Sequence, residues 1–149
     1  MERKAYLEQE KGEMKKRLQS WGQTMARLAW KGDELQKRRA FYEMQKKIWQ
    51  GDTSERGQEA MEQIEAGYDR EAQRLKEEMD AILAEKESMD SILRGLEPEE
   101  ATYVRLRFEK GHGFDYIGMK MFLSRATLFR MQNRILQKLV LRERELGTQ

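Results

Sequence analysis

The sequence contains no cysteine, one proline and one histidine in 149 residues. Without cysteine the chain can form no disulfide, no thiolate metal site and no cysteine nucleophile. The single histidine, His112, excludes metal motifs that need two imidazoles and leaves one candidate for a histidine base. We therefore expect a protein that is not an enzyme, with no catalytic residues, no metal and no other cofactor.

Long apolar runs are also missing from the sequence. No segment approaches the roughly 18 apolar residues that a bilayer span needs. The first eight residues lack the apolar region of a secretory signal peptide. We therefore expect a cytoplasmic protein with no membrane partner.

The scarcity of proline leaves almost nothing to stop a helix, because Pro98 is the only residue of its kind. Charged residues make up 38% of the chain and hydrophobic residues another 38%. Such a balance is polar for a compact globule and typical of long, solvent-exposed helices. The sequence therefore predicts an all-α fold.

The net charge of +2 conceals three blocks of different sign. Residues 1–50 carry 13 basic and 7 acidic side chains, residues 51–100 carry 6 and 16, and residues 101–149 carry 10 and 4. From Met119 to Arg142 there are six basic side chains and no acidic one, a pattern that attracts polyanions. The acidic middle block is interpreted as the solvated face of a helix, as a surface that docks on the basic first block, or as a segment that keeps the middle of the chain off DNA, and these interpretations are compatible.

Two rows of apolar residues recur at intervals of seven, which predicts two helices of roughly 35 residues each. The first row is Leu7, Met14, Trp21, Leu28, Leu35, Tyr42 and Trp49. The second row is Met61, Tyr68, Leu75, Ile82, Met89 and Leu96. Residues at this spacing are typical of a helix core, so we interpret the tryptophans, including Trp30, and the methionines as core rather than as a ligand pocket.

Between the two rows, the segment 51–57 contains two glycines and the cap-forming residues Asp52, Thr53 and Ser54, which predicts a turn. The opposite charges of the two helices favour antiparallel pairing. Residues 1–95 are therefore predicted to form a long helical hairpin or coiled coil for oligomerisation or partner docking. Two stripes alone make a thin core, so we expect a homo-oligomer.

A second domain is predicted from residue 96 to residue 149. Pro98 suits the first turn of a helix that ends at Gly111–Gly113, and a short second helix spans about residues 114–121. Ser124 is placed to cap a third helix. Leu128, Met131, Ile135 and Leu139 fall on one face of that helix, which predicts a three-helix unit.

The opposite face of the third helix has the residue types that read DNA. In a helix-turn-helix the N-terminal half of the second motif helix enters the major groove. Arginine suits guanine, asparagine suits adenine, alanine and phenylalanine can touch the thymine methyl, and hydroxyl and lysine side chains can reach phosphates. The candidate DNA-binding residues are Ser124, Arg125, Ala126, Thr127, Phe129, Arg130, Asn133, Arg134 and Lys138.

Residues 96–139 resemble region 4 of bacterial sigma factors. The matching positions are Leu96-Glu97-Pro98-Glu99-Glu100, Val104-Arg105-Leu106-Arg107-Phe108, Gly111, Tyr116-Ile117, Leu123-Ser124, Thr127-Leu128, Arg130, Arg134 and Lys138-Leu139. With about a hundred helical residues in front, entered through Tyr6-Leu7-Glu8-Gln9, the chain is similar to phage-encoded sigma region 4-like regulators, a group that includes the RinA- and ArpU-type late-transcription activators. Gly118 and Phe122 depart from the pattern, which usually has alanine and glycine around the turn.

The resemblance implies a sequence-specific regulator of transcription that binds double-stranded DNA and acts with the RNA polymerase of a bacterial host. Sigma regions 2 and 3 are not recognisable, so the chain would assist the polymerase and not replace a complete sigma factor. Two alternatives stay open: a DNA-packaging protein like a phage small terminase subunit, and a purely structural helical docking protein. A terminase predicts a ring of many subunits, whereas an activator predicts a monomer or dimer.

Overall fold

The computed structural model describes residues 2–147, and the regular secondary structure of these residues is helical without a strand, so the all-α prediction is confirmed. The helices are α1 (Glu2–Gly22), α2 (Thr24–Trp49), α3 (Glu55–Leu93), α4 (Pro98–Val104), α5 (Phe114–Met121) and α6 (Arg125–Gly147). A π-helical turn, Arg105–Glu109, continues α4. Within the described range, none of these helices has the length and apolarity to cross a membrane.

The first heptad row predicts one helix up to residue 49, but the structure breaks it at Gln23. Gly22 lies so close to the π-helical turn that a Cβ atom on it would come 1.8 Å from the carbonyl oxygen of Phe108. Around the break, the N–H of Gln23 donates to the carbonyl of Ser20 (3.1 Å), and the Thr24 hydroxyl donates to the carbonyl of Trp21 (2.7 Å). The prediction of a single first helix was therefore wrong, and packing of α1 is the reason.

The chain forms two compact units, and their boundaries differ from the predicted domain boundary after residue 95. The first unit combines the residues up to Thr24 with those from Ala84 onward, and the second unit is Met25–Leu83. Helix α1 therefore belongs with the C-terminal helices, although about sixty residues separate them in sequence. Periodicity alone predicts that α1 buries a stripe and does not say against which helix it does so.

The core of the first unit is built around α6. Its apolar face is wider than predicted, because Leu136 and Val140 are buried beside the four residues expected from the spacing. Met14 and Leu18 of α1 are buried in the same cluster, as are Met89 and Ile92 at the end of α3. The remaining buried members are Tyr103, Val104, Phe108, Ile117, Leu128, Met131, Ile135 and Leu139.

Polar contacts reinforce this core at its centre and edge. The buried hydroxyl of Tyr103 donates to the Oε1 of Gln132 (2.6 Å), which satisfies both groups. The Nε1 of Trp21 donates to Asp90 (2.8 Å), whose other oxygen pairs with Lys86 (2.6 Å). Lys86 lies three residues before Met89 of the second heptad row, and its side chain is half-exposed, so its charge stays near the surface.

The second unit consists of α2 and the first three-quarters of α3. The turn between them was predicted over residues 51–57 and lies at residues 50–54, because α3 already begins at Glu55. Asp52 accepts hydrogen bonds from the backbone N–H and the hydroxyl of Ser54. The Ser54 hydroxyl in turn caps α3 by accepting a hydrogen bond from the backbone N–H of Gly57 (3.1 Å). Tyr42 stacks on Tyr68 with ring centroids 4.5 Å apart, and Lys31 pairs with Glu78 (2.7 Å), so the two helices run antiparallel. Apolar burial is sparse here, with Ala72, Leu75 and Ile82 as the buried apolar side chains among the described residues.

Trp30 corrects the interpretation of the tryptophans as core. Its side chain is 74% exposed, and Met25 and Met44 are also largely exposed. Trp30 lies outside the heptad row, two residues after Leu28, so the position of α2 against α3 turns it towards solvent.

Candidate nucleic-acid interface

The α5–α6 segment is set by local sequence signals. Gly113 is the N-cap of α5, in an extended conformation, and the helix ends at Phe122 in the left-handed region. Ser124 caps α6, since its hydroxyl accepts a hydrogen bond from the backbone N–H of Thr127 (3.1 Å). The bounds predicted for the second short helix and the cap of the third are confirmed, and three residues, 122–124, separate the two helices.

Gly118 and Phe122, the two departures from the usual pattern, have opposite structural consequences. A Cβ atom on Gly118 would come 2.7 Å from the carbonyl oxygen of Leu123, so glycine lets the chain turn tightly here. Phe122 adopts φ 58° and ψ 42°, a conformation that glycine occupies at no steric cost. Its ring is 92% exposed and contributes little packing. The turn therefore keeps its tight geometry with backbone strain at Phe122.

Replacing Phe122 by glycine is expected to raise the free energy of unfolding by about 1 kcal/mol, because a side chain in the left-handed region costs about 1–2 kcal/mol and the greater flexibility of unfolded glycine offsets part of the gain. Met119→Gly is the matched control, since it removes another exposed apolar side chain from the interior of α5 and is expected to destabilise. Urea unfolding followed by circular dichroism measures both. A loss of stability in Phe122→Gly would contradict the strain argument.

The predicted DNA-binding side chains share the outer surface of α6. Arg125, Ala126, Arg130, Asn133 and Arg134 are exposed, and so is Ser124 just before the helix. Phe129 is 57% exposed and does not enter the core. Thr127 and Lys138 are half-buried. The arginines, asparagine and apolar groups therefore all face outward along the first three turns of α6.

The first turn of α6 holds its polar side chains together. The hydroxyls of Ser124 and Thr127 lie 2.8 Å apart, and an Nη of Arg130 approaches the Thr127 hydroxyl at 3.4 Å. The Ser124 and Thr127 hydroxyls and the Arg130 guanidinium therefore lie together at the N-terminus of α6, a place suited to an anionic oxygen. Arg125 lies 3.8 Å from Asp115, and both side chains are exposed, so this ion pair is weak.

Glu100 is the important residue that the sequence analysis did not single out. Its side chain is 5% exposed, and its carboxylate pairs with Lys138 at 2.8 Å and with Arg134 at 3.7 Å. It also accepts a hydrogen bond from the backbone N–H of Glu97 (2.9 Å), which ties it to the start of α4. Two of the nine candidate DNA-binding residues, Arg134 and Lys138, therefore pair with a buried carboxylate, and Lys138 lies within hydrogen-bond distance of it.

The buried carboxyl stays ionised because several groups outweigh its burial. Desolvation raises the pKa of Glu100, but the hydrogen bonds from Lys138 and the Glu97 backbone and the charges of Lys138 and Arg134 bring that pKa below its ordinary value of 4.5. Glu100 thus fixes α6 to α4 electrostatically. The sequence signal for this role was slight, since an acidic residue two positions after Pro98 is ordinarily explained by the helix dipole alone.

The described residues contain no group of three or more histidine and acidic side chains that could hold a metal ion. No family model, curated protein or solved structure matches the chain.

Proposed function

We propose that this chain is a sequence-specific DNA-binding regulator of transcription. In this proposal α5, the turn 122–124 and α6 act as a helix-turn-helix, with α6 as the helix that enters the major groove. The observation that carries it is the outer face of α6. Arginine and asparagine alternate there with exposed apolar groups, and α6 contains no acidic side chain before Glu143.

The side chains on that face suit double-stranded DNA better than they suit an acidic or a basic protein surface. Arg130 and Asn133 lie one turn apart, where each side chain can form two hydrogen bonds with a guanine or an adenine edge. Phe129 and Ala126 offer apolar contact to thymine methyl groups. The corner formed by Ser124, Thr127 and the helix N-terminus is suited to a backbone phosphate that fixes the register.

The resemblance to sigma region 4 extends the proposal to a phage-encoded activator that works with bacterial RNA polymerase. In this proposal the domain starting at residue 96 reads DNA, and the helical pair of residues 25–83 supplies contacts between subunits or with the transcription machinery. Helix α1 serves the DNA-reading domain by completing its core, since Met14 and Leu18 are buried beside α6 residues. Lys138 contributes to DNA affinity only to the extent that Glu100 leaves its charge available.

The test is fluorescence anisotropy of the full chain on random duplex DNA across a salt series. The wild type is expected to bind at low salt with a steep decrease in affinity as salt rises, because phosphate contacts release counterions. The Arg125/Arg130/Arg134→Ala variant is expected to lose this binding. An Arg3/Lys4/Lys16→Ala variant is the control, since it removes the same charge from exposed positions of α1.

A second step separates sequence reading from charge. After selection of a preferred duplex from a random pool, Arg130→Ala is expected to reduce discrimination at one base pair by about 1–3 kcal/mol. Equal losses on preferred and random DNA would reject the base-reading role. If the wild type binds no DNA at low salt, the docking alternative replaces the proposal, and a ring of many subunits on DNA would favour packaging.

A further inference from the structure

Helix α2 carries a face of large apolar side chains that its own unit leaves largely exposed. Trp30, Phe41, Met44 and Ile48 are each more than half exposed. Their spacings of eleven, three and four residues place all four on one side of the helix. A contiguous exposed apolar patch of this kind marks a surface that binds another molecule.

A groove in the same unit continues this face. It has a volume of about 450 Å³ and lies between α2 and α3. Phe41, Tyr42 and Trp49 line it from α2, and Ala60, Ile64 and Gly67 line it from α3. A Cβ atom on Gly67 would meet nothing within 4 Å, so the side of the groove formed by α3 is open at this residue. Because Phe41 belongs to both, the groove and the exposed face form one surface.

The unit Met25–Leu83 lacks the second layer that helices need to bury an apolar stripe. Its buried apolar side chains within the described range are Ala72, Leu75 and Ile82, all on α3. The apolar residues of α2 at heptad positions, Leu35 and Tyr42 among them, are only half-buried. A helical pair with this exposure can bury its apolar side chains only against further helices.

We propose that a second copy of this chain covers the surface, and that two Met25–Leu83 units pair about a twofold axis as a four-helix bundle. The charges of the unit are complementary to those of a copy of itself. Helix α2 has seven basic and three acidic side chains, whereas α3 up to Leu83 has four basic and nine acidic ones. In a bundle of alternating helices each α2 lies beside an acidic α3 of the partner as well as its own.

The available area also suits a copy of the same surface. An aromatic side chain buries about 150–250 Å², so four large apolar side chains from each copy provide on the order of 1,000 Å², the lower limit for a specific interface. A nucleic acid would complement only the basic helix and would leave the aromatic groups exposed. The twofold arrangement instead buries the apolar surface and places the basic helix of each copy beside an acidic helix of the other.

Sedimentation velocity on the full chain across the micromolar range tests this proposal. The wild type is expected to be a dimer whose dissociation constant rises with salt, because opposite charges face each other across the interface. Phe41→Glu/Ile48→Glu is expected to weaken the dimer at least about tenfold. Tyr6→Glu/Met119→Glu is the matched control, with the same added charge at two exposed apolar positions of the other unit, and should remain dimeric.

Circular dichroism checks that the glutamate variant keeps its helix content, and Phe41→Ala provides a milder substitution if it does not. A wild type that stays monomeric throughout the range overturns the proposal. So does a dimer that the Phe41 and Ile48 substitutions leave intact, or an assembly larger than a dimer. None of these measurements involves DNA, so the outcome is independent of the DNA-binding proposal.

Discussion

Replacing Gly22 by alanine is expected to lower the free energy of unfolding by about 3 kcal/mol, the upper end of the range for an overpacked site. The added Cβ would lie 1.8 Å from the carbonyl oxygen of Phe108 and 2.4 Å from its carbonyl carbon. Both are backbone atoms, so no side-chain rotation can relieve the clash. Helix α1 would have to withdraw from the π-helical turn, and Met14 and Leu18 would lose contacts in the core.

Gly12→Ala is the matched control for this prediction, because it makes the same substitution in the same helix. Gly12 is exposed and a Cβ atom there meets nothing within 4 Å, so alanine is expected to stabilise by up to about 1 kcal/mol through its higher helix propensity. Urea unfolding followed by tryptophan fluorescence measures both variants. Similar stabilisation at the two positions would show that Gly22 does not contact the π-helical turn.

Replacing Lys138 by methionine is expected to destabilise the protein by about 3 kcal/mol at neutral pH. Removal of one partner of a buried ion pair leaves the other charge uncompensated, which typically costs 3–5 kcal/mol. The lower end applies because Lys138 is partly exposed and Arg134 remains 3.7 Å from Glu100. Gln137→Met, at the adjacent exposed position, serves as the control and should change the stability by less than about 0.5 kcal/mol.

The pH dependence of the stability difference between Lys138→Met and wild type tests whether Glu100 is the origin of this loss. The lowered pKa of Glu100 in the folded wild type means that its carboxylate stabilises the fold above the ordinary value of 4.5, and that this stabilisation is lost as the pH falls through the folded pKa. In Lys138→Met the burial of Glu100 is less well compensated, so protonation relieves the cost. The difference from wild type should therefore shrink below about pH 4.5. A difference that is constant with pH would assign the loss to packing of the lysine side chain instead.

Local sequence signals predicted the C-terminal elements well. Gly113, Ser124 and Pro98 fix helix ends through backbone conformation and capping, which depend on a few neighbouring residues. For that reason the bounds of α5, the start of α4 and the cap of α6 could be predicted. The apolar face of α6 was also predictable, since Leu128, Met131, Ile135 and Leu139 follow helical periodicity.

Long-range relations were not predictable from the same signals. The heptad row through Met14 and Leu18 is compatible with any apolar partner, so it could not assign α1 to the core around α6. Glycine at position 22 gives no indication in sequence that the Phe108 carbonyl lies beside it. Lys138 matched the pattern of a phosphate contact, and its pairing with Glu100, 38 residues away, depends on how α4 packs on α6.

The packing of α1 on α6 also determines the order in which the chain can fold during synthesis. Arg17 pairs with Glu143, 126 residues later, and Glu10 pairs with Arg144. Helix α1 is synthesised before α6, so the part of its apolar stripe that packs on α6 has no native partner there until α6 has been made. Until then the cluster that contains Met14 and Leu18 lacks the buried apolar side chains of α6, from Leu128 to Val140, that complete it in the folded protein, and Tyr103 lacks its hydrogen-bond partner Gln132. Closure of this core is therefore a late step, and nascent chains that stop short of α6 are expected to be prone to aggregation.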